Sequence, residues 1–79
     1  MNITDAFMER LIRMPIPEQA HFLCSNKEEI DFEIISKKTK ELLQEEGISE
    51  ERKDKIYGIR EGSFVLYNAG NLEREILAE

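Results

Sequence analysis

Ile30-Asp31-Phe32-Glu33-Ile34 can be read in two ways, and the fold class turns on the choice. As a strand, the five residues alternate apolar and acidic, the pattern of a half-buried edge of sheet. As a helix, they lie inside a longer stretch with start and stop signals of its own. Ser25-Asn26-Lys27-Glu28 opens it with a Ser followed three residues later by Glu, a capping box. Glu45-Glu46-Gly47 closes it, since a glycine past a helix end accepts the left-handed conformation that stops it. At about 100° per residue, Phe32, Ile35, Thr39, Leu42 and Leu43 share one broad face, and Ile30 and Ile34 fall off it. A helix apolar on two sides is buried on two sides. The capping box and the Glu33–Lys37 pair at i,i+4 favour the helix. The expectation is therefore a long central helix over about residues 26–46. If the strand forms instead, Ser36 caps a shorter helix over 37–46.

Working outward, residues 1–14 carry Ile3, Phe7, Leu11 and Met14 at i, i+4, i+8 and i+11, with Met8 and Ile12 widening the stripe. Asn2 or Thr4 can cap this helix, and Glu9 can pair with Arg13. Met14-Pro15-Ile16-Pro17 ends it, because a residue before proline avoids helical geometry. Pro17 suits the first position of a second, short helix over 17–24. Beyond Gly47, Ser49 is an N-cap candidate, and residues 50–60 read as a helix burying Ile56 and Ile59. Glu61-Gly62-Ser63 reads as a turn plus N-cap. Val65, Ala69, Leu72 and Ile76 then form the tidiest apolar stripe of the chain, on a helix over 64–78. The rival reading makes Ser63-Phe64-Val65-Leu66-Tyr67 a strand. The fold expected is mainly α, one small domain over residues 1–79 with four to five helices around the central one. The alternative is α+β, with a two-stranded pairing of 29–35 and 63–67.

Size and charge bound the function. A chain of 79 residues buries only about 60% of the surface its unfolded form exposes, so it gains from a partner, and homo-oligomerisation is one way to supply it. Seventeen acids against eleven bases leave a net charge of −6. Residues 25–46 hold seven acids and four bases, and no segment of the chain is net basic. Nonspecific attraction to nucleic acid or to an anionic membrane is disfavoured. The single Cys24 excludes an intrachain disulfide. No apolar run approaches membrane-spanning length, and no leader pattern opens the chain. A cytoplasmic protein is expected.

Candidate sites are few. His21 and Cys24, spaced i, i+3, make half of a tetrahedral zinc site, but a buried Cys24 beside a surface His21 is the favoured reading. No metal or cofactor is expected. Glu45, Glu46, Glu50 and Glu51 crowd around Gly47, two of them against the helix dipole at a C-terminus. That makes them candidates for contact with a basic partner. Phe64 and Tyr67 fall off the stripe containing Val65 and can anchor a partner, as aromatics do at interface hot spots. Lys37, Lys38, Lys40, Arg52, Lys53, Lys55 and Arg60 form a basic subset expected mainly to pair with neighbouring acids, as Glu51 with Lys55 at i,i+4.

No phosphate-binding glycine loop and no nucleophile-and-base set stands in the sequence. The function expected is non-enzymatic: a protein–protein interaction module acting as a small regulator, inhibitor, adaptor or assembly factor. One alternative is an acidic nucleic-acid mimic of the small phage-type inhibitor kind. Another is a weak helix-turn-helix-like DNA binder using the 37–60 bases, with helices 50–60 and 64–78 joined at Gly62-Ser63. Its reading helix would carry one base, Arg74, where Arg and Lys are wanted.

Overall fold

Four helices form, in the order α1 (Asp5–Arg13), α2 (Ile16–Ser25), α3 (Phe32–Leu42) and α4 (Glu50–Ala78). The computed structural model describes the backbone of residues 1–78 and the side chains of residues 1–69. The mainly α reading holds, and no strand occurs among the described residues. Both segments of the α+β alternative are otherwise engaged: 32–35 lie in α3, and 63–67 lie in α4.

α1 starts where Thr4 Oγ1 accepts the Phe7 amide at 3.1 Å, satisfying one of the free N–H groups of a helix start. Ile3 and Met8 occupy the two positions of a hydrophobic staple around that cap, and both are buried. Met14, held extended before Pro15, ends the helix. α2 begins one residue earlier than expected, at Ile16, so Pro17 takes its second position. Proline is tolerated there too, because the amide it lacks has no intrahelical partner. Gln19 ties the two helices together. Its Nε2 donates to Leu11 O at 2.9 Å in a buried contact, satisfying a carbonyl of the last turn of α1.

The long helix expected over 26–46 does not form as one element. Ser25 is the last residue of α2 rather than the start of a helix. Asn26 closes α2, its backbone amide and its Nδ2 both donating to Phe22 O, at 3.1 and 2.9 Å. Residues 26–29 turn and Ile30-Asp31 continue outside any helix. Asp31 then caps α3, its Oδ1 accepting the amides of Glu33 at 3.0 Å and Ile34 at 3.4 Å. Of the two acids that made Ile30–Ile34 resemble a strand, Asp31 is thus a helix cap and Glu33 lies in the first turn of α3. The physical reason for the break is burial. On one continuous helix Ile30 and Ile35 would point about 140° apart, whereas the break delivers both to one core.

The long helix is α4 instead. Its 29 residues span about 43 Å, and they dominate a molecule measuring 48 × 22 × 21 Å. Ser49 caps it as expected, with Oγ accepting the Arg52 amide at 3.1 Å. Gly47 has φ +72°, the left-handed conformation that lets residues 43–49 turn back into α4. The turn expected at Glu61-Gly62-Ser63 is absent, and α4 runs straight through it. These small residues admit α2: a methyl group at Gly62 would sit 3.5 Å from Leu23 Cδ1, and one at Gly58 would sit 3.0 Å from Gln19 Oε1. With no turn at Gly62-Ser63, residues 50–60 and 64–78 belong to one helix and do not form the two arms of a helix-turn-helix.

All three shorter helices pack on α4. α3 runs antiparallel to it, with Glu45, just past its end, near Arg52 and Ser36 near Arg60. The core joins Ile3, Met8, Leu11 and Ile12 to Leu23, Ile30, Ile35, Ile56 and Ile59. Phe7 and Phe22 meet at its edge in a tilted pair, centroids 5.9 Å apart. The expected burial of Ile56 and Ile59 is found. The expected burial of the Val65 stripe is not: Val65 and Ala69 are exposed, and the side chains of Leu72 and Ile76 lie outside the described residues. No helix among the described residues is long and apolar enough to cross a membrane.

Candidate functional site

Along α4, Ile56, Ile59, Ser63 and Leu66 recur at i, i+3, i+7 and i+10 and form the face that packs on the other helices. One residue further on, Tyr57, Arg60, Phe64 and Tyr67 repeat the same spacing, about 100° around the helix. This second stripe is one wall and the floor of a groove of about 740 Å³. The first turns of α3, through Phe32, Glu33 and Ser36, make the other wall. Phe64 is 66% exposed, Val65 64%, Tyr57 46% and Tyr67 44%, and all four line this groove.

Polar contacts join the two walls of the groove. Arg60 reaches from α4 to α3, its Nη1 donating to Ser36 O at 3.0 Å and to Thr39 Oγ1 at 3.2 Å. Thr39, fully buried, donates in turn to Ile35 O at 2.9 Å. A buried hydroxyl and a guanidinium thus join the two walls beside the apolar contact that Ile35 shares with Ile56 and Ile59 in the core. Ser63 is also buried, and its Oγ has no hydrogen-bond partner among the described residues. On the rim, Glu33 and Glu61 face solvent, one on each wall. Neither carboxylate forms an ion pair among the described residues.

A smaller cleft of about 290 Å³ lies between α1 and α3, lined by Asp5, Glu9, Lys38, Glu41 and Glu45 among others. Its charges are largely matched within the chain. Arg52 grips Glu9 through its two terminal guanidinium nitrogens, Nη1 donating to Oε2 at 3.1 Å and Nη2 to Oε1 at 2.5 Å. It also approaches Glu45 at 3.7 Å. The hydrogen bond from Arg52 holds the Glu9 carboxyl below its ordinary value of 4.5, outweighing the opposing effect of burial. Glu9 raises Arg52 in return, and Asp5, 2.8 Å from Lys38 Nζ, raises Lys38.

The six residues singled out as partner contacts therefore separate into two places. Phe64 and Tyr67 lie together in the groove. Glu45, Glu46, Glu50 and Glu51 are exposed at the other end of α4. Glu50 and Phe64 are fourteen residues apart, about 21 Å along the helix. Two of the four glutamates are partly neutralised, Glu45 by Arg52 and Glu50 by Lys53 at 3.6 Å. Tyr57, Val65 and Phe32 are groove residues not anticipated from the sequence. The signal for Tyr57 was present in the repeated i, i+3, i+7, i+10 spacing, but a turn assumed at 61–63 cut that stripe in two.

The basic subset is also largely committed. Lys38, Arg52 and Lys53 pair with acids, Arg60 bridges to α3, and Lys55 Nζ donates to Met14 O at 2.6 Å rather than to Glu51. Likewise Glu9 takes Arg52 in place of Arg13 as its hydrogen-bond partner. Cys24, expected to be buried, is exposed on α2, as is His21. Among the described residues no group of three or more His, Cys, Asp or Glu is placed to hold a metal ion. No family model, curated protein or solved structure matches this chain.

Proposed function

We propose that this chain is a non-enzymatic protein-binding module whose contact surface is the groove between α3 and α4. The observation that carries this reading is the concentration of four large apolar side chains, Tyr57, Phe64, Val65 and Tyr67, on one exposed surface beside two fixed helices. Burying apolar area yields about 25 cal/mol per Å², so a contiguous apolar patch left in water marks an interaction site. Tyrosines within it suit an interface, since each pairs a large apolar ring with a polar tip. A small regulator, inhibitor or adaptor needs no more than such a patch on a stable frame. The exposed thiol of Cys24 supports a reducing, cytoplasmic setting.

Affinity capture from cell extract, run in parallel with three forms of the protein, tests the location of the contact. Native protein and a Glu45→Gln/Glu46→Gln form are expected to retain the same partner, and a Phe64→Ser/Tyr67→Ser form to lose it. All the substituted side chains are exposed, so the helical content should not change. Retention by the groove form and loss by the glutamine form would place binding at the acidic corner and overturn the reading.

A further inference from the structure

The groove's length, walls and charge specify its occupant more closely. Tyr57 and Tyr67 are ten residues apart on one helix, so the apolar surface runs about 15 Å, three turns of a facing helix. Tyr57 and Phe64, separated by two turns, match anchors spaced i and i+7 on such a partner. Strand addition, the other common mode for a linear segment, requires an open sheet edge, and the described residues contain no strand.

Charge selects among helices. Glu33 on one wall and Glu61 on the other leave the apolar floor flanked by two carboxylates with no ion-pair partner among the described residues. Arg60, the cation of the lining, lies between the walls with its Nη1 turned to Ser36 O and Thr39 Oγ1. A second copy of this chain is a poor occupant, because each copy brings a net charge of −6 and like charges across an interface oppose association.

We infer that the groove receives a cationic amphipathic helix of another protein. Its apolar anchors seat against Tyr57, Phe64, Val65 and Tyr67, and its lysine or arginine flanks face Glu33 and Glu61. The inference rests on the proposed binding role of the groove and adds the chemistry of the partner.

The test uses a dye-labelled synthetic helix with leucine and phenylalanine at i, i+3, i+4 and i+7 and lysine on both flanks. A twin peptide carries glutamate in place of each lysine. Fluorescence anisotropy follows both against the full chain at low and at high salt. The lysine peptide is expected to bind at least about tenfold more tightly than its twin at low salt, with the preference shrinking as salt rises. Glu33→Gln/Glu61→Gln is expected to reduce that preference to about threefold or less, and Phe64→Ser/Tyr67→Ser to abolish binding of both peptides. Equal binding of the twins, lost in the Phe64→Ser/Tyr67→Ser form, would overturn the cationic occupant and leave the groove as the binding surface. Binding of the lysine peptide that survives those serine substitutions would be adhesion to the acidic surface at large, and would overturn both readings. Failure of both peptides to bind would overturn the inference as well. So would dimerisation in light scattering that the serine substitutions abolish, since the occupant would then be a second copy.

Discussion

α4 contains two regions built from the same unbroken backbone but placed in different surroundings. Between Arg52 and Ser63 it is anchored along the face turned to the other helices: Ile56 and Ile59 are fully buried, Arg52 is held by Glu9, Lys55 by Met14 O, and Arg60 by Ser36 O, while Asp54, Tyr57 and Glu61 are exposed. From Phe64 to Ala69 only Leu66 packs against the core, and Phe64, Val65 and Tyr67 face water. The second region is the more apolar in sequence and the less buried in the fold. Apolar periodicity reports that a helix has a face to hide, and the neighbours alone decide what hides it.

Truncation on either side of Ser63 draws this contrast most sharply. Ile59→Ala opens a cavity in the shared core and is expected to cost about 2–5 kcal/mol, a large part of the total stability of so small a domain. Phe64→Ala removes a larger side chain, yet is expected to change stability by less than about 0.5 kcal/mol. Urea unfolding followed by circular dichroism measures both, and comparable losses would erase the distinction between the two regions. The cap of α3 ranks next. Asp31→Ala leaves the amides of Glu33 and Ile34 without their acceptor, an expected loss of about 1 kcal/mol, read by the same unfolding curves. It should loosen the α3 wall of the groove while leaving the α4 wall intact.

The two glycines of α4 sharpen the comparison within the gripped region. Gly62→Ala places a methyl at ordinary contact distance from Leu23 and gains helix propensity, so a stabilisation of about 0.5–1 kcal/mol is expected. Gly58→Ala gains the same propensity but crowds Gln19 Oε1 at 3.0 Å, and Gln19 cannot yield freely because its Nε2 is tied to Leu11 O. Its melting temperature is expected to fall below that of Gly62→Ala. A higher value for Gly58→Ala would show that α2 is not packed closely there.

The smallest effect is electrostatic. The carboxyl of Glu9 is lowered in the folded state by Arg52. Its contribution is therefore present in full above its ordinary value of 4.5 and fades as the pH drops below that, through the lower folded value. Because Glu9 is 39% exposed, solvent screening limits the contribution to about 1 kcal/mol or less. Stability measured from pH 7 down to about pH 3 in native protein and in Glu9→Gln should converge at the acid end. Curves that stay parallel throughout would show that the Arg52–Glu9 pair contributes nothing.

Some of the candidate site was legible before folding was considered. Phe64 and Tyr67 were expected at the surface because the Val65 stripe would be buried; both are exposed in the groove, but so is Val65, and the face that packs is that of Ser63 and Leu66. The opposite wall was not legible, since Phe32 and Glu33 join the groove only because α3 returns antiparallel to α4, a relation that no local pattern encodes. The acidic corner around Gly47 was conspicuous as composition, but pairing of Glu45 with Arg52 and of Glu50 with Lys53 reduces what it offers.

The amino-acid sequence by itself determined the features that depend on neighbours along the chain. These are the mainly helical class, favoured there over α+β, a cap at the start of α1 (which the structure assigns to Thr4 rather than Asn2), the Ser49 cap, the stop at Met14 before Pro15, and the left-handed backbone at Gly47. Each arises from one residue's hydrogen bonding or steric limits within a few positions. Tertiary structure alone decided where the long helix lies. A capping box at Ser25–Glu28 and a helix-weakening Gly62-Ser63 are each worth about 1 kcal/mol. Burying Ile30, Ile35, Ile59 and Leu23 in one core outweighs both, at about 1.5–3 kcal/mol for each large aliphatic side chain. The local signals were therefore overruled where they conflicted with that core, and the chain breaks at 26–31 and continues unbroken through Ser63.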